Sequence, residues 1–140
     1  MLRVVLDVNV LVSALLSTRG SPARLLRAWR MGRLELVVSP ALLRELRRVL
    51  AYPKLATRLD PEHVQAFVTW LARGAELATD AAAPFAIQSP DPSDDYLLAL
   101  AATQRAMLVT GDAGLADLGR TFPVRTPATL LAMLGDDDVR

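Results

Sequence analysis

At 140 residues, 52% of them hydrophobic, and without a cysteine, the chain has the size and apolar content of one globular domain with a full core; thiolate metal sites, cysteine nucleophiles and disulfide staples are excluded, and a reducing, cytoplasmic setting is expected. The formal charge of +1 hides an asymmetry: residues 1–58 carry eleven Lys or Arg against three acids, +8, and residues 59–140 carry five against twelve, −7. Fifteen of the sixteen cations are arginine, whose planar fork suits phosphate, although solvated arginine-rich helix faces account for the same bias.

"LRVVLD" (2–7) reads as a buried strand, β-branched and too apolar to face water on either side. Asp7 and Asn9 interrupt the apolar run "RVVLDVNVLVSAL". That break, with no clear small-residue cleavage site after it, argues against a signal peptide. No apolar stretch approaches the roughly 18 residues that a membrane helix needs. "SPARLLRAWRMG" reads as a helix with Ser21 as N-cap, Pro22 at its first position and Gly32 as its stop. A strand "LELVV" (34–38) precedes "SPALLRELRRVL", a helix with the same Ser-Pro start at Ser39 and Pro40. "DPEHVQAFVTWLARG" is capped by Asp60 and Pro61 and closes near Gly74. "FAIQS" reads as a loop or short strand, and "DPSDDYLLALAATQRA" as a helix begun by Asp91 and Pro92. "MLVT" (107–110) is another buried strand, "GDAGLADLG" a turn and short helix, and "VRTPATLLAMLG" a last short strand and helix. This alternation predicts an α/β domain with a mainly parallel sheet and no repeat or linker. Residues 1–135 make the domain, and the acidic tail from Asp136 reads as frayed.

Ligands of such sheets bind beyond the carboxyl ends of the strands, where strand order reverses. Asp7 lies at or just past the end of the first strand. Glu45 is on the second turn of the helix leaving the second strand, and Asp112 is two residues beyond "MLVT". The helix carrying Asp94 and Asp95 precedes that strand antiparallel to it, so its N-terminus faces the same edge. Each acid has an ordinary alternative role: Asp91 and Asp112 as N-caps, Asp94 and Asp95 as partners of a helix dipole. Glu45 shares the apolar stripe of Leu42 and Val49, apart from the arginine face of Arg44, Arg47 and Arg48, and needs a partner. Asp7 is the strongest anomaly, because an ionised carboxylate in a buried run is costly unless paired or bound to a cation. Four converging carboxylates repel one another, and a hard divalent cation, Mg²⁺ or Mn²⁺, relieves that repulsion. One or two such ions activate water and neutralise charge on a phosphate, which makes phosphodiester hydrolysis the chemistry that uses every feature.

The stretches "LDVNVLVSAL", "VVSPALLRELRRVL", "DPSDDYLLALA" and "LVTGDAGL", in this order and spacing, resemble the PIN-domain (PilT N-terminus) ribonucleases, in particular the short VapC-like toxins of toxin–antitoxin pairs. The resemblance implies a three-layer domain with about five parallel strands and helices on both faces, dependence on Mg²⁺ or Mn²⁺, an RNA substrate, a homodimer, and a small antitoxin that covers or enters the site. Carried over position by position, Asp7, Glu45, Asp95 and Asp112 match the four acids. Asp94 is the nearest competitor of Asp95 and Asp91 a weaker one. Asn9, Ser39 and Thr110 match supporting positions.

His63 and the two tryptophans, Trp29 and Trp70, read as a surface residue and as packing or dimer contacts. Arg24 and Arg27, flanked by Arg19, form either a solvated face or a track for an RNA backbone. An aspartyl phosphatase expects a second acid where Asn9 stands, and a receiver domain expects an acidic pair after the first strand, so both are disfavoured. A non-catalytic module that binds RNA or protein, and a nuclease of RNA processing without an antitoxin, stay open.

Overall fold

The computed structural model describes residues 1–82, 91–112, 115 and 123–135. The segment "FAIQS", most of "GDAGLADLG" and the acidic tail lie outside the described residues. Strand β1 (Arg3–Leu6) is followed by helices α1 (Val8–Leu16) and α2 (Ser21–Arg30), and β2 (Glu35–Val38) by α3 (Pro40–Leu50), α4 (Pro53–Ala56) and α5 (Pro61–Gly74). Then come β3 (Glu76–Leu77), a 3₁₀ turn (Pro92–Asp94), α6 (Asp95–Thr103), β4 (Met107–Val109), β5 (Val124–Arg125) and α7 (Pro127–Leu134).

The five strands form one parallel sheet in the order β3-β2-β1-β4-β5. The central strands are apolar on both faces, and Val4, Val5, Val37, Val38, Leu108 and Val109 have no exposed surface. Only a sheet covered by helices on both sides tolerates such strands. The chain steps from β1 to β2 to β3 in one direction and then returns past β1 to β4. Right-handed crossovers therefore put α1 to α5 on one face and α6 on the other. The packing agrees, since α6 lies against β1 and β4, whereas α1 packs on α2 and α3, α3 on α5, and α2 on α7. The fold is the three-layer α/β arrangement that the sequence predicts.

Four local details differ from the sequence reading or add to it. The apolar run after Asp7, to which the sequence reading gave no element, is a helix, α1. Val8, Val10, Leu11, Val12 and Ala14 are buried in it, while Asn9 and Ser13, four residues apart, make its exposed stripe. The third strand is Glu76–Leu77, directly after α5. Gly20 caps α2, with Ser21 as its first residue and no side-chain cap bond. Asp91 and Pro92 start the 3₁₀ turn, and the α-helix begins only at Asp95. Ser39 and Asp60 cap their helices as expected, accepting from the N–H groups of Leu42 and Glu62.

Candidate active site

The point where strand order reverses lies between β1 and β4, and the first two site residues come from the carboxyl ends of those strands. Asp7 ends β1 with its own N–H donating to the Val109 carbonyl of β4 at 2.9 Å. Its side chain caps α1, Oδ1 accepting from the Asn9 N–H at 3.4 Å. The other oxygen, Oδ2, accepts from Thr110 Oγ1 at 2.6 Å. That same hydroxyl accepts from the Asp112 N–H at 3.0 Å. Thr110, wholly buried, thus ties together the residues that leave both strands. Asp7 is itself only 6% exposed. Burial pushes its carboxyl above the usual range, helped by the charge of Asp112, against the opposing pull of the hydrogen bonds from Thr110 and Asn9.

Beside Asp7 lies a cavity of about 180 Å³, lined among others by Asn9, Glu45, Arg48, Asp94 and Tyr96. Asp94 arrives there because the 3₁₀ turn, closed by Ser93 N–H and Oγ donating to Asp91 Oδ1, ends on it. Its carboxyl is pushed up to about 6, by burial first and then by the charges of Asp7, Asp91, Asp112 and Asp95. Asp7 and Asp112, from two separate segments, bear on the Asp94 carboxyl together, which is the electrostatic mark of convergence. Of the three acids in this segment, Asp94 lines the cavity, Asp95 is buried as the first residue of α6, and Asp91 is exposed with its carboxyl held low by Ser93.

Glu45 is half-buried on the apolar side of α3, and its partner comes from the arginine face. Arg48 Nε donates to Glu45 Oε2 at 2.9 Å, and Nη2 donates to Oε1. The guanidinium keeps the Glu45 carboxyl below its usual range. The repulsion among the converging carboxylates is therefore met in part by a side-chain cation, since Arg48 lines the same cavity.

Two further groups, Tyr96 and Asp80, are not among those the sequence singles out. The Tyr96 hydroxyl is buried without a hydrogen-bond partner among the described residues. Burial and the charges of Glu45, Asp7, Asp94 and Asp80 push its pKa up, so it stays a neutral donor. Asp80 follows β3 and accepts from the Ala41 N–H at the start of α3 at 2.9 Å. Tyr96 at one residue past "DD" carries a sequence signal, whereas Asp80 reaches α3 only through the pairing of β3 with β2. Ser39, wholly buried, uses its hydroxyl on the α3 cap and does not line the cavity. Nor do Arg19, Arg24 and Arg27. Arg27 instead donates to the Thr18 carbonyl at 2.9 Å and lines a groove with Phe67 and Trp70. Trp29 and Trp70 pack on each other, with ring centroids 4.8 Å apart.

The family model described as "PIN domain" matches residues 3–114, a span that holds every acid of the site described above. The chain belongs to the PIN-domain family. Among solved structures, this PIN domain is similar to the crystal structure of PAE2754 from Pyrobaculum aerophilum, with a TM-score of 0.68 and 17% identity over 96% of this chain and 90% of that one. At that identity the likeness bears on fold alone. No curated protein matches the sequence.

PIN domains are generally nucleases and typically use divalent metals. The donors of this PIN domain suit a hard cation, being carboxylate and hydroxyl oxygens with no thiolate or imidazole among them. Among the described residues, no three acids stand close enough to form a complete ligand set. A hydrated ion held through one or two carboxylates, the usual habit of Mg²⁺, fits that spacing, and the raised Asp7 and Asp94 carboxyls are those such a charge would relieve. Among the described residues, no helix is long and apolar enough to cross a membrane.

Proposed function

We propose that this PIN domain is a Mg²⁺- or Mn²⁺-dependent endoribonuclease, acting as the toxin of a toxin–antitoxin pair and working as a homodimer that a small antitoxin protein silences. The observation that carries the reading is the junction of Asp7, Thr110 and Asp112 at the strand-order reversal, with Asp94 raised to about 6 by its acidic neighbours. Asp7, Asp112 and either Asp94 or Asp95 would hold one or two hydrated ions, each through no more than two carboxylates and otherwise through water, with Glu45 joining when Arg48 releases it. Bound there, the metal supplies a nucleophile from water at neutral pH and positive charge for the phosphate oxygens. The remaining work falls to the chain. Thr110 fixes the carboxylate of Asp7 at the wall of the cavity. Ser39, by capping α3, sets the helix from which Glu45 and Arg48 reach the same space. The Tyr96 hydroxyl, kept protonated, offers a hydrogen bond to a non-bridging phosphate oxygen. The acids also accept the proton that the attacking water gives up, and a protonated carboxyl returns one to the leaving oxygen as it departs.

The test is cleavage of single-stranded RNA by the purified protein with Mg²⁺ or Mn²⁺ against EDTA. Asp7→Asn and Asp112→Asn are expected to lower the rate about 100-fold or more, on the scale of losing a transition-state stabiliser. Asp94→Asn and Asp95→Asn, compared side by side, tell which acid of that segment holds metal. RNA that binds yet stays intact with either ion would sink the enzyme reading in favour of a non-catalytic module. The toxin role has its own assay: induced expression arrests growth, and co-expression of an adjacent small open reading frame restores it.

A further inference from the structure

We propose that Arg48 positions the substrate's phosphate at the mouth of the carboxylate cavity, and that Glu45 holds its guanidinium in place until a polyanion takes it over. The inference rests on the reading of this cavity as a nuclease site. Its starting point is a charge conflict. A phosphodiester must enter a space lined by Asp7, Glu45 and Asp94, and among the described lining residues Arg48 is the single cation. The basic residues that the sequence put forward for this task, Arg19, Arg24 and Arg27, do not line it.

Arg48 is held as a phosphate ligand in waiting. Two nitrogens of its fork grip both oxygens of Glu45, Nη1 donates to the Tyr52 hydroxyl, and its Cζ lies 5.2 Å from the centre of the Tyr52 ring. The same pair of parallel N–H groups fits two oxygens of a phosphate. The grip on Glu45 is weak enough to exchange, because the Arg48 side chain is 60% exposed and solvent screens the pair. The two residues are three apart on α3, so the exchange needs one side chain to swing and no element to move. It also has a consequence for the acids: the arriving phosphate takes the guanidinium, and Glu45 is left ionised and facing the cavity. Substrate entry and the completion of the carboxylate set become one event.

The experiment measures fluorescence anisotropy of a short labelled single-stranded RNA in EDTA, with cleavage by the same proteins followed in Mg²⁺ or Mn²⁺. Arg48→Gln is expected to weaken binding about three- to ten-fold, the range of an ordinary hydrogen bond, since solvent screens the charge, and to lower the log–log salt slope by about 0.7. Glu45→Gln is expected to tighten binding, because it frees the guanidinium, and that gain should vanish in the Glu45→Gln, Arg48→Gln double variant. Arg48→Lys, with charge but no fork, falls between wild type and Arg48→Gln. In cleavage, Arg48→Gln raises KM and leaves kcat nearly unchanged. Equal binding and salt slopes for wild type and Arg48→Gln would overturn the proposal. So would a Glu45→Gln that weakens binding as Arg48→Gln does, which marks the pair as structural, or a wild-type protein that binds no RNA. A wild type that binds as expected and never cleaves with either metal removes the nuclease reading and leaves the assignment of Arg48 standing.

Discussion

The Thr110 hydroxyl donates to Asp7 and accepts from the Asp112 N–H, so exchanging it for a methyl breaks both contacts at once. Thr110→Val is expected to cost about 1–3 kcal/mol in urea unfolding near neutral pH, the range for leaving a buried polar group unpaired. The loss should shrink in acid. The hydrogen bond favours the ionised form of Asp7, whose folded pKa already lies above its ordinary value. Removing it raises that pKa further, the native state binds the proton more tightly than the unfolded chain, and stability falls more steeply as pH rises. Thr110→Ser, which keeps the hydroxyl, should restore most of the loss. Asp94 gives a second pH signature with the same sign. Its carboxyl moves from 3.8 to about 6 on folding, so the native state holds the extra proton between those values. Stability should therefore decline as pH rises from near 4 through 6 in metal-free buffer. Thermal melts of Asp94→Asn should lose that decline, and added Mg²⁺ should offset it in the wild type, since a ligand that binds only the native state stabilises it. An unchanged pH profile in Asp94→Asn would mean that the carboxyl is not raised by its neighbours.

At the scale of elements, helix starts were the most legible feature, because a cap acts over three residues of local chain. Ser39-Pro40 and Asp60-Pro61 cap α3 and α5 as read. The two caps support different things, and mutation should separate them. Ser39→Ala, at a buried cap, is expected to lose about 1–2 kcal/mol of stability and to lower RNA cleavage, since α3 carries Glu45 and Arg48. Asp60→Ala, at an exposed cap on α5, should lose about 0.5–1 kcal/mol and leave cleavage untouched. The omissions have physical causes too. Val8–Leu16 is apolar nearly all round, packing on α2 and α3, and a run without an amphipathic period does not distinguish helix from strand. β3 is two residues long, too short for any alternation to show. Glu45 was correctly placed on the buried side of its helix. Its partner was not, because an arginine three residues away reaches across the boundary between faces on a long side chain.

Across the whole molecule, the two edges of the sheet divide the work. At the amino edge, Arg3 of β1 donates to Glu35 Oε2 of β2 at 3.1 Å, to Glu76 of β3, and through Nε to the Gln104 carbonyl after α6 at 3.0 Å. Arg3→Ala should lower the unfolding free energy by about 1 kcal/mol, as for a partly exposed network, without altering cleavage, because none of these hydrogen-bond partners is among the described residues that line the cavity. A fall in kcat would instead show that strand register at one edge reaches the chemistry at the other. The excess of arginine in the first half also has structural uses: Arg33 donates to carbonyls at the end of α7, and Arg27 to Thr18. Charge counting alone does not see these ties. What the sequence by itself determined was the α/β class, the parallel sheet, the helix starts and the edge to which the acids go, because each follows from local periodicity, capping chemistry and the rule for crossovers. Only the tertiary structure decided which groups share the cavity. The Thr110 bond to Asp7 joins residues 103 apart in the chain, Asp94 feels Asp7 and Asp112 across separate elements, and Arg48, although 60% exposed, turns its fork back onto Glu45. Side-chain direction and desolvation depend on what the rest of the fold packs around a residue, and no short stretch of sequence contains that.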